Sequence, residues 1–302
     1  MGKTVLILGA SGKIGRNTAA AFWNAGWNVK SYDRKKGNMT KAAIGADVIV
    51  NGMNPPNYAN WQVTIPQITE QVISAARASG ATVIIPGNVY NFGAKPGVWD
   101  ENTPQKPDSI KGRVRVEMEQ AYRDAGVRTI VLRAGNFIEP EGQDDVMSLV
   151  LLRAIKKFRI TYAGRPDAMQ AYCYLPDWAN AVVELAQMRD ELDMFEDIPF
   201  PGHSFSVNEL RMTLEGELGR TLRLTSFPWW LMTAAAPFWE LARELREMRY
   251  LWNTDHQLSG DKFSRLLPDF KATDMVSVMT AGLPRDIYPN QGMARSADTS
   301  LD

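Results

Sequence analysis

An apolar run, Val5-Leu6-Ile7-Leu8, breaks into Gly9-Ala10-Ser11-Gly12-Lys13-Ile14-Gly15, and this junction restricts the fold more than any other part of the chain. Three glycines at G-x-x-G-x-x-G spacing sit between a strand-like run and an amphipathic helix marked by Ile14, Thr18, Phe22 and Ala25. Gly9 would take a tight turn, Gly12 would let backbone approach a phosphate with no Cβ in the way, and Gly15 would let the helix lie against the strand. The free N–H groups and the positive dipole end of that helix then face an anion, and a dinucleotide pyrophosphate fits the description. Ser11, Lys13 and Ile14 complete the expected phosphate loop.

Gly26 stops the helix, and a second strand from Trp27 to Tyr32 ends at Asp33, eighteen residues beyond Gly15. A carboxylate there accepts hydrogen bonds from ribose hydroxyls, which favours NAD. Arg34 follows directly and offers a charge-assisted contact to the 2′-phosphate of NADP, so that cofactor stays open as a second choice.

Acidic and basic residues balance at 34 each, which leaves no electrostatic case for nucleic acid or membrane as a partner; a small-molecule substrate is expected. Cys173 is the single cysteine, so an internal disulfide and cysteine-rich metal sites are excluded and a cytoplasmic location is expected. No metal ligands are predicted, and the chain is compatible with a monomer or a homodimer. The most apolar later segment, Phe227 to Trp239, is too short to span a bilayer and runs into Glu240 and Arg243.

Strand and helix patterns alternate through the first half: strand 47–50, helix 61–79, strand 82–86, helix 109–125, strand 128–133. This alternation predicts an α/β fold of the doubly wound Rossmann type, a mostly parallel sheet with helices on both faces. Further on, the pattern predicts a helix near 145–157, a short strand near 160–163, a strand and helix through 172–188 and a largely helical end. The expected organisation is a dinucleotide-binding domain over 1–140, a substrate-binding region over 141–289 with some segments returning to the sheet, and a disordered tail over 290–302.

The chain resembles the extended and atypical short-chain dehydrogenase/reductases, the NAD-dependent epimerase/dehydratase group, over most of residues 3–230. Besides the glycine turn, the resemblance rests on Gly45-Ala46-Asp47-Val48-Ile49-Val50, Val89-Tyr90, Val131-Leu132-Arg133-Ala134-Gly135-Asn136 and Tyr174-Leu175-Pro176-Asp177-Trp178-Ala179. It implies that Gly52, Pro86, Ala134 and Asn136 join the cofactor site. Relatives place a strand and a helix between the positions of Asp33 and Asp47, where this chain has thirteen residues, so the third strand is expected to be missing and the adenine end open.

The same resemblance exposes a departure in the catalytic set. The family's Tyr-Gly-x-Ser-Lys helix aligns with Lys111-Gly112-Arg113-Val114-Arg115, so Lys111 replaces the tyrosine and Arg115 the lysine; the serine position falls on Pro86. Lys111 and Arg115, at i and i+4, would share one helix face toward the nicotinamide ribose. Lys111 is therefore the expected acid/base, oriented by Arg115, with Asn88 and Tyr90 near a substrate carbonyl. The isoflavone-reductase-like branch, which uses a lone lysine, is locally similar. A simpler reading keeps Lys111 as an exposed first-turn residue and Arg115 as a partner for Glu119.

Three functions follow. The first is hydride transfer between NAD(P) and a small organic carbonyl or activated double bond, the aromatic-rich helix from Phe227 forming an apolar or aromatic pocket wall and the polar loop 139–145 a second contact. The second is a cofactor-binding sensor without turnover. The third, nucleotide-sugar epimerase or dehydratase action, lacks the usual tyrosine. His203 and His256 show no metal or triad spacing and are expected on the surface or in loops, Cys173 and its neighbouring tyrosines in packing, and Asp177 at a helix N-terminus.

Overall fold

The computed structural model describes residues 2–35, 37–55, 60–140 and 144–287. The first half runs β1 (Thr4–Leu8), α1 (Lys13–Asn24), β2 (Asn28–Tyr32), α2 (Met39–Ala43), β3 (Val48–Asn51) and α3 (Trp61–Ser79). It continues with β4 (Thr82–Gly87), β5 (Gly97–Trp99), α4 (Ile110–Ala125) and β6 (Thr129–Arg133). The second half holds β7 (Asn136–Ile138), β8 (Arg159–Tyr162), β9 (Gln170–Tyr174), α5 (Leu175–Gln187), β10 (Phe195–Pro199), β11 (His203–Phe205) and α6 (Val207–Leu218). After these come β12 (Arg223–Ser226), α7 (Trp229–Ala235), α8 (Glu240–Glu247), β13 (His256–Leu258), α9 (Asp261–Leu266) and α10 (Met275–Thr280).

Six strands form a parallel sheet in the order β10-β6-β4-β3-β1-β2. Strand alternation sorts the core into two layers. Val5 and Ile7 of β1 point with Val48, Val50, Ile130 and Leu132 toward Phe22 of α1 and Trp178 of α5. Leu6 and Leu8 point the other way, with Ile49, Val83, Ile85 and Val131, toward Ile65 and Val72 of α3 and Met118 and Tyr122 of α4. Both faces are covered, so these strands read as continuous apolar runs. Each buried side chain of this size contributes roughly 1.5–3 kcal/mol. β10 and α5, from beyond residue 140, complete the sheet and its helical layer.

The strand expected to be missing between Asp33 and Asp47 is not found among the described residues: β2 pairs only with β1 and forms the sheet edge, mostly exposed, and the connection to β3 holds only the five-residue α2. Two local expectations change. The segment 145–157 is no single helix but a π turn (Met147–Leu151) and a short 3-10 turn (Ile155–Lys157), which together bury Met147, Leu151, Leu152 and Ile155. Pro237 divides the aromatic-rich helix expected from Phe227: α7 ends at Ala235 and α8 starts afresh at Glu240, because proline offers no N–H and crowds the preceding turn. The expected tail, 290–302, lies outside the described residues.

Candidate functional site

The glycine turn carries three different constraints. Gly9 has φ +75°, and a Cβ there would meet Gly52 backbone at 3.0 Å. The Gly12 N–H donates to the Gly9 carbonyl at 2.9 Å, closing the turn before α1. At Gly15 a Cβ would sit 2.2 Å from the Gly9 oxygen and 2.6 Å from Ala10 Cα, so the helix can lie this close only with glycine. Gly12 differs: its φ of −81° is open to any residue, and a Cβ would have only the Gly9 oxygen near it, at 3.4 Å. The protein itself tolerates a side chain there. α1 also has no side-chain cap and no acidic residue in its first turn, so its positive end is not offset by its own sequence.

A cleft of about 490 Å³ opens at the carboxyl ends of the central strands. Gly12, Lys13 and Ile14 form one wall, and Gly52, Met53, Asn54 and Trp61 the region after β3. Pro86 to Tyr90 line it after β4, Ala134 to Phe137 after β6, with Arg115 from α4 and Asp144 to Val146 closing the front. Ten expected site residues thus meet in one place: Gly12, Lys13, Ile14, Gly52, Pro86, Asn88, Tyr90, Arg115, Ala134 and Asn136. Gly9 and Gly15 act behind the wall as scaffold, and Ser11 is exposed on the turn, its carbonyl accepting from Arg16 at 3.4 Å. Asp33 and Arg34 stand beyond β2 at the open edge, outside this lining, and Asp33 accepts from the Lys35 N–H at 2.9 Å.

Lys111 requires a correction. Its expected place beside the nicotinamide ribose is not where the structure puts it: the side chain is 1% exposed, lies outside the cleft lining, and its ammonium pairs with the carboxylates of Glu244 and Glu247 on α8. The Ile110 N–H donates to Glu247 as well, so the start of α4 is fastened to α8. Nor is Lys111 an exposed first-turn residue. Arg115, one turn on, does reach the cleft. Its guanidinium lies 4.7 Å above the Trp61 ring and donates to Asn54 Oδ1 at 3.1 Å, contacts that stand in place of the expected orienting bond to Lys111 and the expected pairing with Glu119.

Glu119 belongs instead to a buried cluster that the sequence did not reveal. Arg133, with no exposed surface, makes paired bonds to Glu119 (3.1 and 2.7 Å) and to Asp197 (3.1 and 2.6 Å). It also donates to the Asn88 carbonyl at 2.8 Å. Burial opposes the Arg133 charge, but the two carboxylates outweigh it and hold the guanidinium above its ordinary range. One side chain thereby joins α4, β10 and the loop after β4 that carries Asn88 and Tyr90. Within that loop Asn88 Oδ1 accepts from the Tyr90 N–H at 2.9 Å, and Tyr90 is half-buried against the cleft.

The polar loop expected to meet substrate is largely engaged with the protein itself. Glu139 is buried and bonds Arg16 Nε at 2.9 Å and Asn17 at 2.7 Å, raising the Arg16 pKa. Asp145 accepts from the Glu139 N–H and from Ser148, each at 2.8 Å, while Asp144 meets Lys13 at 3.2 Å. Residues 141–143 of that loop lie outside the described residues. The expected pocket wall fails too: no residue of α7 lines the cleft, and Trp230, Phe238 and Trp239 face solvent.

Both histidines are buried, contrary to expectation. His203 bonds the Thr273 carbonyl at 2.7 Å, and His256 stacks on Trp99 with centroids 4.9 Å apart. His256 Nδ1 lies 2.9 Å from the Thr254 carbonyl, so it carries the proton, and Nε2 has no hydrogen-bond partner. Burial lowers the His256 pKa below its ordinary 6.5. The folded state therefore disfavours the imidazolium, and stability is full above pH 6.5 and declines as pH falls from there through the lowered folded-state value. His256→Phe, which keeps the stack, is expected to show less loss of urea midpoint than wild type between about pH 7 and pH 5. Parallel declines would refute this.

Cys173 is fully buried with its thiol pKa pushed up by desolvation, a packing residue as expected. Asp177 sits in the first turn of α5 and accepts from the Thr273 N–H and hydroxyl, both at 2.8 Å. Tyr162, Tyr172 and Tyr174 pack in the cluster around β8, β9 and α6. Among the described residues, no group of three or more His, Cys, Asp or Glu gathers as a metal would need.

No curated protein matches the chain in sequence. Its fold resembles UDP-glucuronic acid 4-epimerase from Bacillus cereus in complex with UDP-glucuronic acid and NAD. The TM-score is 0.72 at 14% identity, covering 92% of this chain and 97% of that one. UDP-glucose 4-epimerase from Bifidobacterium longum, in complex with NAD+ and UDP, gives 0.70 at 16% identity, with 93% and 96% covered. MoeE5 in complex with UDP-glucose and NAD gives 0.72 at 15% identity, with 92% and 97% covered. At these identities the likeness shows a shared fold. The sequence profile of the NAD-dependent epimerase/dehydratase family matches residues 5–198, from β1 through β10 and well over half of the chain. The chain belongs to the NAD-dependent epimerase/dehydratase family.

Proposed function

We propose that the protein binds NAD in this cleft and uses it for oxidation and reduction of a small molecule, with a nucleotide-linked sugar as the favoured substrate class. The observation that carries the reading is the continuity of the cleft from the uncapped start of α1, past Gly52, to Pro86, Asn88 and Tyr90 and then to Ala134 and Asn136. Family membership and UDP-sugar epimerases of the same fold favour this substrate class over the organic carbonyl expected from the sequence. Gly12 offers room that the protein does not fill, which fits a phosphate approaching the backbone. Asp33 at the open edge would take the ribose hydroxyls and repel a 2′-phosphate, so NAD is expected to bind more tightly than NADP.

Bound NAD would supply hydride acceptance and return at its nicotinamide. The chain must then move a proton at the substrate. Among the lining side chains Tyr90 presents a phenol, half-buried against the cleft beside Asn88, that can give and take a proton, whereas arginine does not give up its proton at neutral pH. Arg115, steadied by Trp61 and Asn54, would set positive charge beside the cofactor ribose.

Tyr90→Phe is accordingly expected to lower turnover by roughly 10²- to 10⁴-fold with NAD affinity unchanged. The assay is a titration with NAD and NADP, then incubation with UDP-glucose and UDP-glucuronic acid and separation of sugar products. Loss of turnover in Lys111→Met but not in Tyr90→Phe would return the acid/base role to Lys111. The burial of Lys111 favours a second reading, cofactor binding without turnover; NAD binding with no product from either sugar nucleotide, and none from a panel of carbonyl compounds, would establish it.

A further inference from the structure

The segment Phe227 to Trp239 has no charged residue, and three of its five aromatic side chains are in water: Trp230 is 71%, Phe238 93% and Trp239 47% exposed. α7 buries none of its residues. An uncovered aromatic cluster of this kind marks a contact surface. Because Pro237 separates α7 from α8, Trp230 and Leu231 project from one element and Phe238 and Trp239 from the turn after it. These exposed aromatic side chains flank the turn between α7 and α8.

Charge along this segment is sorted. Arg153 lies over the Phe227 ring at 5.6 Å, Arg249 over the Trp229 ring at 5.3 Å, and Arg243 reaches the Ala236 carbonyl at 3.5 Å. The acidic residues of α8 that would offset them, Glu244 and Glu247, are turned onto buried Lys111, leaving Glu240 at the helix start. Exposed aromatic side chains with arginines along the same segment are complementary to an anionic lipid surface, where Trp and Phe settle at the headgroup level and guanidinium groups meet phosphates. No helix among the described residues is long and apolar enough to cross a membrane.

We infer that this hairpin docks the protein onto the surface of an anionic membrane, with Trp230, Phe238 and Trp239 as the inserted side chains. The salt link from Glu244 and Glu247 to Lys111 fixes the hairpin to α4, so the body and its cleft are held against the bilayer in one orientation. The neutral overall charge argued against a membrane partner; the local sorting of charge is what reverses that expectation.

The test is flotation of the full chain with vesicles of phosphatidylcholine alone or with about 30% phosphatidylserine, at low and high salt. Wild type is expected to float with the anionic vesicles and to be released by salt. The combined substitutions Trp230→Ser, Phe238→Ser and Trp239→Ser are expected to reduce binding by about tenfold or more. Phe238→Glu, at an almost fully exposed position, is expected to weaken it in the same direction and serves alone if the combined variant does not fold, judged by circular dichroism. Absence of wild-type binding, or equal binding by the variants, would overturn the inference. So would a wild-type dimer by light scattering that Phe238→Glu splits, because a second copy would then be the occupant.

Discussion

Gly12→Val is expected to leave the fold intact and to reduce NAD affinity at least ~100-fold, about 2.7 kcal/mol. The reason lies in the contrast among the three glycines. At Gly12 the backbone conformation suits any residue and the nearest atom to an added Cβ is 3.4 Å away, so the penalty arises only when a phosphate seeks the same space. Gly15→Ala is the control: its Cβ would fall 2.2 Å from a backbone carbonyl, so strand and helix must separate and stability should drop by about 1–3 kcal/mol or more. The pair separates a ligand constraint from a packing constraint. Isothermal titration with NAD, beside thermal melts of both variants, reads the two effects independently. Unchanged affinity in Gly12→Val would mean that the turn is only a structural junction.

The central sheet was legible because its cause is local: apolar strand runs, amphipathic helices and glycines at a turn all lie within a few residues of one another. The missing third strand was legible for a related reason, since thirteen residues between Asp33 and Asp47 cannot hold a strand and a crossover helix. Most of the cleft residues lie just beyond the carboxyl ends of strands or at the start of α1, within reach of the same frame, while Arg115 comes from α4. Lys111 was misread because its environment comes from far along the chain. Glu244 and Glu247 lie more than 130 residues away, and nothing in the spacing of Lys111 and Arg115 signals that a carboxylate pair will cover the first and not the second. The burial of His203 and His256 depends likewise on tertiary partners such as Trp99 and Thr273. For the segment from Phe227 the local pattern predicts one apolar helix, of which only Trp229–Ala235 forms before the break at Pro237, and periodicity cannot say whether an apolar face will be covered.

Arg133 is the clearest instance of a residue whose importance the sequence concealed, and its replacement is expected to have the largest effect on stability. Arg133→Met would leave Glu119 and Asp197, both in or near the interior, without the cation that bonds both. Removing one partner from a buried ion cluster typically costs about 3–5 kcal/mol, mostly for the charges left behind. For a chain of this size that corresponds to a fall in melting temperature on the order of 10 °C. Adding Glu119→Gln and Asp197→Asn should recover part of the loss, because neutral amides do not repel and are less costly to bury. Arg133→Lys should recover less, since an ammonium cannot bond both carboxylates in parallel and also reach the Asn88 carbonyl. That last bond ties the cluster to function. Without it the loop carrying Asn88 and Tyr90 loses its anchor to β6, and turnover should fall further than NAD affinity, because the phosphate turn on α1 is untouched. A melting temperature within about 2 °C of wild type would show that the cluster contributes little. Equal losses of NAD affinity and turnover in a folded variant would show that it does not position the Tyr90 loop in particular.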